Sequence, residues 1–210
     1  GVPILLRTLR RFSAVPAVAE LIVVVAKDEI AFVEGMLEKA QGLKPWCVVQ
    51  GGAERQYSIA NGMAHLAADA DIVLVHDAAR PLVSLAAIEA VIFAAREKGA
   101  AIAAVRAKNT IKVVGEDGRV EATPARASLW EVQTPQGFRR EILQRAYEKA
   151  AQEGFLGTDD ASLVERIGEA VFVVESDYGN LKITTPEDLW MAEALLAHSA
   201  GIVDEMKVTI

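Results

Sequence analysis

Cations, glycines and small polar residues recur at the ends of short apolar runs. Gly51-Gly52-Ala53-Glu54-Arg55 follows the run Trp46–Val49, and His76-Asp77-Ala78-Ala79-Arg80-Pro81 follows Asp71–Val75. Lys108-Asn109-Thr110 follows Ala100–Val105, Thr158-Asp159-Asp160 opens a helical pattern, and Asn180-Leu181-Lys182 precedes the last one. These stretches and their neighbours supply Arg55, Arg80, Lys108, Lys112, Arg126 and Lys182 to a chain whose 29 acidic and 22 basic residues leave a net charge of -7. A cationic group on an acidic protein points to a small phosphorylated ligand rather than a nucleic-acid polymer, which calls for broad phosphate neutralisation. One cysteine, Cys47, rules out an internal disulfide and a multi-thiolate zinc site, and His65, His76 and His198 have no ligand spacing.

Each residue also has a plain structural reading. Gly51-Gly52 alone reads as a tight turn, and Ser58 as a first-turn helix residue. Asp77, just past a buried strand, reads equally as a turn or helix cap and as a carboxylate for Mg²⁺ or a ribose hydroxyl. Arg126 alone reads as a solvated charge, Lys182 as a partner for Asp177 or Glu187, His76 as a satisfied loop or core histidine, and Trp130 and Trp190 as packing residues.

The elements that must position these residues follow from the hydropathy pattern. Leu21–Val25 and Asp71–Val75 are continuous apolar runs, the form of strands buried on both faces. Strands are also expected at Trp46–Val49, Ala100–Val105, Leu129–Val132 and Val171–Val174. Helices are expected over Pro3–Phe12, Asp28–Lys39 and Arg55–Ala68, from Ser84 to Lys98 with Gly99 as terminator, over Arg139–Gln152, and from a Thr158 cap to about Ile167. A last helix starts at Thr185-Pro186-Glu187-Asp188 and runs to about Ala197. The alternation predicts one α/β domain over 1–210, with a mostly parallel Rossmann-like sheet flanked by helices. Ligands of such sheets bind beyond the carboxyl ends of the strands, where the polar stretches fall. Thr110–Val114 and Arg119–Glu121 flank Glu116-Asp117-Gly118, a hairpin signal, and predict an arm projecting over about 106–127. With 52% hydrophobic residues and no apolar run near the about 20 residues a membrane helix needs, the chain reads as soluble and cytoplasmic.

Taken together, several motifs are more specific than any part. They are Gly51-Gly52-x-x-Arg55-x-x-Ser58-x-x-Asn61-Gly62, Val75-His76-Asp77-Ala78-Ala79-Arg80-Pro81, Thr110-x-Lys112, Leu129-Trp130-x-x-Gln133-Thr134-Pro135-Gln136-x-Phe138, Thr158-Asp159-Asp160-Ala161-Ser162 and Asn180-x-Lys182-Ile183-Thr184. In combination they resemble the 2-C-methyl-D-erythritol 4-phosphate cytidylyltransferase family over nearly the whole chain.

The resemblance implies a nucleotide-diphospho-sugar transferase-like fold. It also implies a reaction in which CTP and methylerythritol phosphate give the cytidyl diphosphate product and pyrophosphate, in the non-mevalonate isoprenoid pathway. By the same resemblance, Lys182 and Arg126 position the attacking phosphate, and Arg80, Thr110, Thr158 and Asp77 contact the substrate. Gly52, Ser58 and Ala78 line the cytidine pocket, and Asp77 serves Mg²⁺. The arm clasps a second copy in a homodimer, so that Thr110 and Arg126 serve the partner's site.

Two departures stand out. The family opens with a strand and a glycine-rich loop carrying an Arg and a Pro-Lys pair that hold the triphosphate, whereas this sequence begins just past that point. Residues 1–210 alone are therefore expected to bind CTP poorly, to turn over negligibly and to expose apolar sheet edges. Asn109 stands where the family usually has Asp. The competing readings are a cytidylyltransferase for another polyol phosphate, such as ribitol 5-phosphate, and a non-catalytic dimeric nucleotide-binding relative.

Overall fold

A computed structural model of the chain, which describes the backbone of residues 1–208 and the side chains of 1–198, contains eight strands and seven α-helices among the described residues. The strands are β1 (Leu21–Val25), β2 (Trp46–Gln50), β3 (Ile72–Val75), β4 (Ala100–Arg106), β5 (Val113–Val114), β6 (Val120–Ala122), β7 (Trp130–Arg139) and β8 (Phe172–Glu175). The helices are α1 (Ile4–Ser13), α2 (Ile30–Leu37), α3 (Arg55–Met63), α4 (Leu85–Lys98), α5 (Arg140–Glu153), α6 (Asp160–Arg166) and α7 (Pro186–Val208).

β1 and β2 pair in parallel from Leu21↔Trp46 to Val25↔Gln50. β3, β7, β4 and β8 form a second sheet in that order, with β4 and β8 parallel and β7 antiparallel to both its neighbours. Apolar cores cover both faces. Leu9, Phe12, Leu21, Val23, Leu37 and Ile88 belong to one. Val73, Val75, Ile102, Phe138, Leu143 and Leu163 belong to the other. The alternation along β1 and β3 is thus split between two helix layers, which is why these strands read as unbroken apolar runs.

β1 and β3 do not hydrogen-bond to each other. They face one another across a slot of about 670 Å³ between α1, which contributes Leu5 and Leu9, and α3, which contributes Ile59 and Met63. The slot runs the length of both strands and ends among Arg55, Ser58, His76 and Asp77.

Ser84 caps α4, accepting from the Ala87 N–H at 3.2 Å, and Gly99 ends it at φ 95°, a conformation that favours glycine. The last helix, expected to end at about Ala197, continues to Val208, and four further expectations need correction. The strand expected to stop at Val132 continues to Arg139, carrying Gln133, Thr134 and Gln136 into the interior through a cis Thr134–Pro135 bond. α3 ends at Met63 rather than Ala68, where i→i−3 bonds replace the α-helical ones, the His65 and Leu66 amides donating to the carbonyls of Gly62 and Met63. Asp159, not Thr158, caps α6, and its carboxylate takes the Ser162 N–H at 2.9 Å in a reciprocal capping box. Trp190 is 65% exposed and does not pack in the core, whereas Trp130 stacks under the Arg106 guanidinium. No helix among the described residues is long and apolar enough to cross a membrane.

Candidate active site

The chain leaves β3 at Val75 and turns sharply through His76–Pro81. One long-range group fixes the turn: Thr134 Oγ1 on β7 accepts the Asp77 N–H at 3.0 Å and lies 3.0 Å from His76 Nδ1. His76 Nε2 faces the Arg80 carbonyl at 3.2 Å. A carbonyl only accepts, so Nε2 carries the proton and Nδ1 accepts from the Thr134 hydroxyl. The ring also packs on Phe12, with centroids 4.6 Å apart. Burial lowers the His76 pKa to about 4, only partly offset by the Arg80 carbonyl and Asp77, so the ring is neutral at neutral pH. His76 is the satisfied histidine of the plain reading, and its work is to hold the turn.

The turn presents Asp77 and Arg80. One carboxylate oxygen, Asp77 Oδ2, sits 3.2 Å from Arg80 Nε and 3.3 Å from Lys182 Nζ. Arg80 is fixed at a second point, its Nη1 donating to the Asn180 carbonyl at 2.8 Å. Asn180 is fully buried and donates to Gln133 Oε1 and to the Thr134 carbonyl, so the segment bearing Lys182 is anchored to the strand that anchors Asp77. The Ile183 N–H closes the arrangement on the Ala79 carbonyl at 2.9 Å.

Burial opposes the charge on Asp77, but Lys182 and then Arg80 hold its carboxyl below the usual carboxylate range. The Asp77 and Arg80 side chains are 15% and 12% exposed, and Lys182 is 46% exposed. Two of the three charges are therefore set in the interior, and the ammonium reaches them from a half-exposed position. Lys182 pairs with neither Asp177 nor Glu187. The cluster carries a net charge of +1 at the carboxyl end of β3, where an open α/β sheet receives ligands.

Beside it lies the turn after β2. Gly52 N–H donates to Ser58 Oγ at 3.0 Å, and that hydroxyl donates to the Glu54 carbonyl at 3.1 Å. A Cβ at Gly52 would stand 2.5 Å from Tyr57 Cβ and 3.1 Å from the Tyr57 carbonyl carbon, so the turn closes this tightly only with glycine. Ala78 is exposed, and its carbonyl takes the Thr8 hydroxyl at 2.7 Å. Thr158 is exposed on the segment ahead of α6, at a small cavity it shares with Arg55 and Asp160.

Thr110 and Arg126 stand apart. Both are exposed on the arm, whose strands pair Val113 with Ala122 and Val114 with Val120. Arg126 donates to the Lys108 carbonyl at 3.1 Å. Among the described residues, no hydrogen bond or ion pair joins either residue to Asp77, Arg80 or Lys182.

The structure thus unites Asp77, Arg80 and Lys182, and separately Gly52 and Ser58. The sequence reading missed the buried supports Gln133, Thr134, Gln136 and Asn180. Their motifs were visible, but polar residues inside a strand do not show in hydropathy that they are buried.

A family profile described as 2-C-methyl-D-erythritol 4-phosphate cytidylyltransferase matches residues 1–198. The protein of that name from Caldanaerobacter subterraneus subsp. tengcongensis is 47% identical over 197 residues, covering 93% of this chain and 87% of the relative. That from Syntrophus aciditrophicus is 46% identical over 202 residues, covering 96% and 86%. Among solved structures, 4-diphosphocytidyl-2C-methyl-D-erythritol synthase from Anaerococcus prevotii superposes with a TM-score of 0.86 at 35% identity, covering 92% of this chain and 89% of that one. The cytidylyltransferase from Thermus thermophilus gives 0.79 at 34%, covering 93% and 89%.

Proposed function

The chain belongs to the 2-C-methyl-D-erythritol 4-phosphate cytidylyltransferase family, and we propose that its Asp77–Arg80–Lys182 cluster receives the phosphate that attacks CTP. The enzyme transfers CMP from CTP to 2-C-methyl-D-erythritol 4-phosphate, giving 4-diphosphocytidyl-2-C-methyl-D-erythritol and pyrophosphate in isoprenoid biosynthesis. A phosphate oxygen of the polyol substrate forms a bond to the α-phosphorus of CTP. The bond to the bridging α–β oxygen breaks, and its electron pair leaves with pyrophosphate. No covalent enzyme intermediate is needed, so the protein's part is positioning and charge compensation.

The observation that carries this assignment is the shared oxygen, Asp77 Oδ2, between a doubly held guanidinium and a half-exposed ammonium. An arriving phosphate dianion draws Lys182 from Asp77 and meets Arg80 already oriented. The carboxylate so released accepts hydroxyl donors of the polyol or the ribose. The rigid Gly52–Ser58 turn and Ala78 lie where the cytidine moiety would rest, and Thr158 reaches the polyol from the opposite side. Pyrophosphate release by the full-length protein tests the assignment. Turnover with CTP and methylerythritol phosphate, and little with ribitol 5-phosphate, is expected. The reverse preference would move the enzyme to another polyol phosphate, and no turnover with either would favour a non-catalytic relative.

The remaining features extend the proposal. The donor set suits a Mg²⁺ ion that arrives with the nucleotide. Among the described residues no three acidic, His or Cys side chains converge, and Asp77 is the one carboxylate at the cluster. Mg²⁺ commonly takes one or two carboxylates plus substrate phosphates and water. Bound there, it would neutralise triphosphate charge.

The slot between β1 and β3 has the length of a five-residue strand, apolar walls and an unpaired strand edge on each side. It suits the apolar strand with which the family opens, and a strand seated there would deliver the residues after it to Asp77 and Ser58. The exposed Val113, Val114 and Val120 suit an arm that packs on a second copy, bringing Thr110 and Arg126 to the partner's site. A reaction that consumes CTP suits the cytoplasm.

A further inference from the structure

The two halves of the site lie on segments about a hundred residues apart, and a compact set of side chains buckles them together. Asp160, at the start of α6, is fully buried. Its Oδ2 accepts from Arg55 Nη2 at 2.7 Å, and its Oδ1 accepts from the Tyr147 hydroxyl at 2.5 Å. Next to Arg55, the nearly buried Gln56 grips the same segment twice, donating to the Phe155 carbonyl at 3.0 Å and accepting the Gly157 N–H at 2.9 Å. Gln136, 1% exposed on β7, locks the far side, donating to Asp159 Oδ2 at 2.8 Å and accepting the Ala161 N–H at 3.1 Å.

Arg55 and Gln56 are the first two residues of α3, directly after the Gly52 turn and in the same first turn as Ser58. The segment they hold carries Thr158. A buried carboxylate without a cation is strongly destabilising, so the strength of this buckle lies in keeping Asp160 paired. Burial works against the charge on Arg55, but Asp160, and then Asp77, more than offset it and hold the guanidinium pKa above its ordinary value. Burial and the Asp160 charge also push the Tyr147 phenol well up, so Tyr147 serves as a neutral donor. The Arg55 side chain is 42% exposed. It lines both the small cavity at Thr158 and the end of the slot at Asp77.

We propose that Asp160 is a positioning residue that acts through Arg55, fixing the cytidine-side turn and the Thr158 segment as one body so that both substrates meet a preformed site. The inference rests on the functional reading above, since it takes CTP and the polyol phosphate as the two ligands. It differs from a purely structural role in one respect. A loss of stability alone lowers the folded fraction and leaves KM unchanged. Loss of a buckle between two half-sites raises KM for both substrates, because each then has to order the other's segment.

The test uses the full-length protein with Asp160→Asn, Arg55→Gln and the double substitution. Asp160→Asn preserves shape and the Tyr147 partner but turns an N–H donor toward Arg55. Each single change is expected to raise KM for CTP and for methylerythritol phosphate about tenfold, the effect of losing one hydrogen bond between charged groups, with kcat within about threefold. The double variant should match the singles, because the two residues act through one contact. Arg55→Lys should recover part of the loss. Arg55→Gln removes a half-exposed side chain and keeps the test open should Asp160→Asn not fold. A lower melting temperature with unmoved KM values, a shift in KM for one substrate only, or additive effects of about a hundredfold in the double variant would overturn the inference. Wild-type protein that fails to transfer CMP would instead overturn the functional reading beneath it.

Discussion

Acidification should destabilise the protein through His76, and the size of the effect follows from its surroundings. Both ring nitrogens are engaged, Nδ1 accepting from Thr134 and Nε2 donating to the Arg80 carbonyl. A second proton on Nδ1 would meet the Thr134 hydroxyl, which already accepts the Asp77 N–H, and would force that hydroxyl to turn. Burial is the largest cause lowering the folded pKa, from 6.5 to about 4. The unfolded chain therefore binds more protons between these values, and the stability gained from neutral His76 is complete above about pH 6.5 and lost as the pH falls toward 4. At about 1.36 kcal/mol per unit, the loss is about 2 kcal/mol at pH 5 and approaches about 3.4 kcal/mol below pH 4. Other carboxylates titrate in this range, so the signal is a difference. Urea unfolding of wild type and His76→Asn, followed by circular dichroism from pH 7 to pH 4, should give curves that converge as the pH falls. Parallel curves, or a His76 ring proton titrating with a midpoint above 6 in NMR, would refute the assignment of a neutral ring engaged at both nitrogens.

Lys182→Ala should lower kcat/KM by about a hundredfold or more, because it removes a cation aimed at an anionic nucleophile. The melting temperature should barely move, since Arg80 still pairs Asp77; near wild-type kinetics would remove Lys182 from the site. Gly52→Ala should raise KM for CTP, as its Cβ meets the Tyr57 backbone and opens the turn that holds Ser58, leaving KM for the polyol phosphate less affected; equal or absent changes would detach this turn from cytidine. Val114→Asp with Val120→Asp should yield monomers in sedimentation if the arm packs on a second copy, and an unchanged sedimentation coefficient would count against that role. EDTA should abolish pyrophosphate release and Mg²⁺ restore it, whereas activity in EDTA would show that the protein's own cations suffice.

The legible parts of the sequence were those where chemistry and position coincide. The runs at Leu21, Asp71 and Ala100 marked strands because helices cover both faces, and the Ser84 and Gly99 signals bounded α4 because caps are local chemistry. The rule that strand ends gather at one edge groups Arg55, Arg80, Lys108, Lys112, Arg126 and Lys182, and of these the structure brings Arg80 and Lys182 together on Asp77 while Arg126 stays on the arm. β7 was harder to read. Gln133, Thr134 and Gln136 look like loop residues, and only tertiary partners such as Asn180, Asp77 and Asp159 make them interior ones. The same blindness hid the Asp160–Arg55 contact, since Thr158 reads as the cap of this helix and nothing local marks which of the two acids after it turns inward. One of them, Asp159, does cap, while the other, Asp160, turns inward to Tyr147 and Arg55. No periodicity in the sequence reports a gap between strands, so nothing in the hydropathy pattern marks the slot between β1 and β3.

The bond between the polyol phosphate and the α-phosphorus of CTP is the most direct thing to measure. Phosphorus NMR of the full-length protein with CTP, Mg²⁺ and methylerythritol phosphate observes it without coupling enzymes. The arrangement of Asp77, Arg80 and Lys182 predicts that the monoester phosphate signal disappears as a coupled pair of diphosphate diester signals and free pyrophosphate grow in equal amounts. It also predicts that Lys182→Ala slows all three changes together. Hydrolysis of CTP with the monoester signal intact, or a diphosphate diester formed as fast by the Lys182→Ala variant, would contradict it.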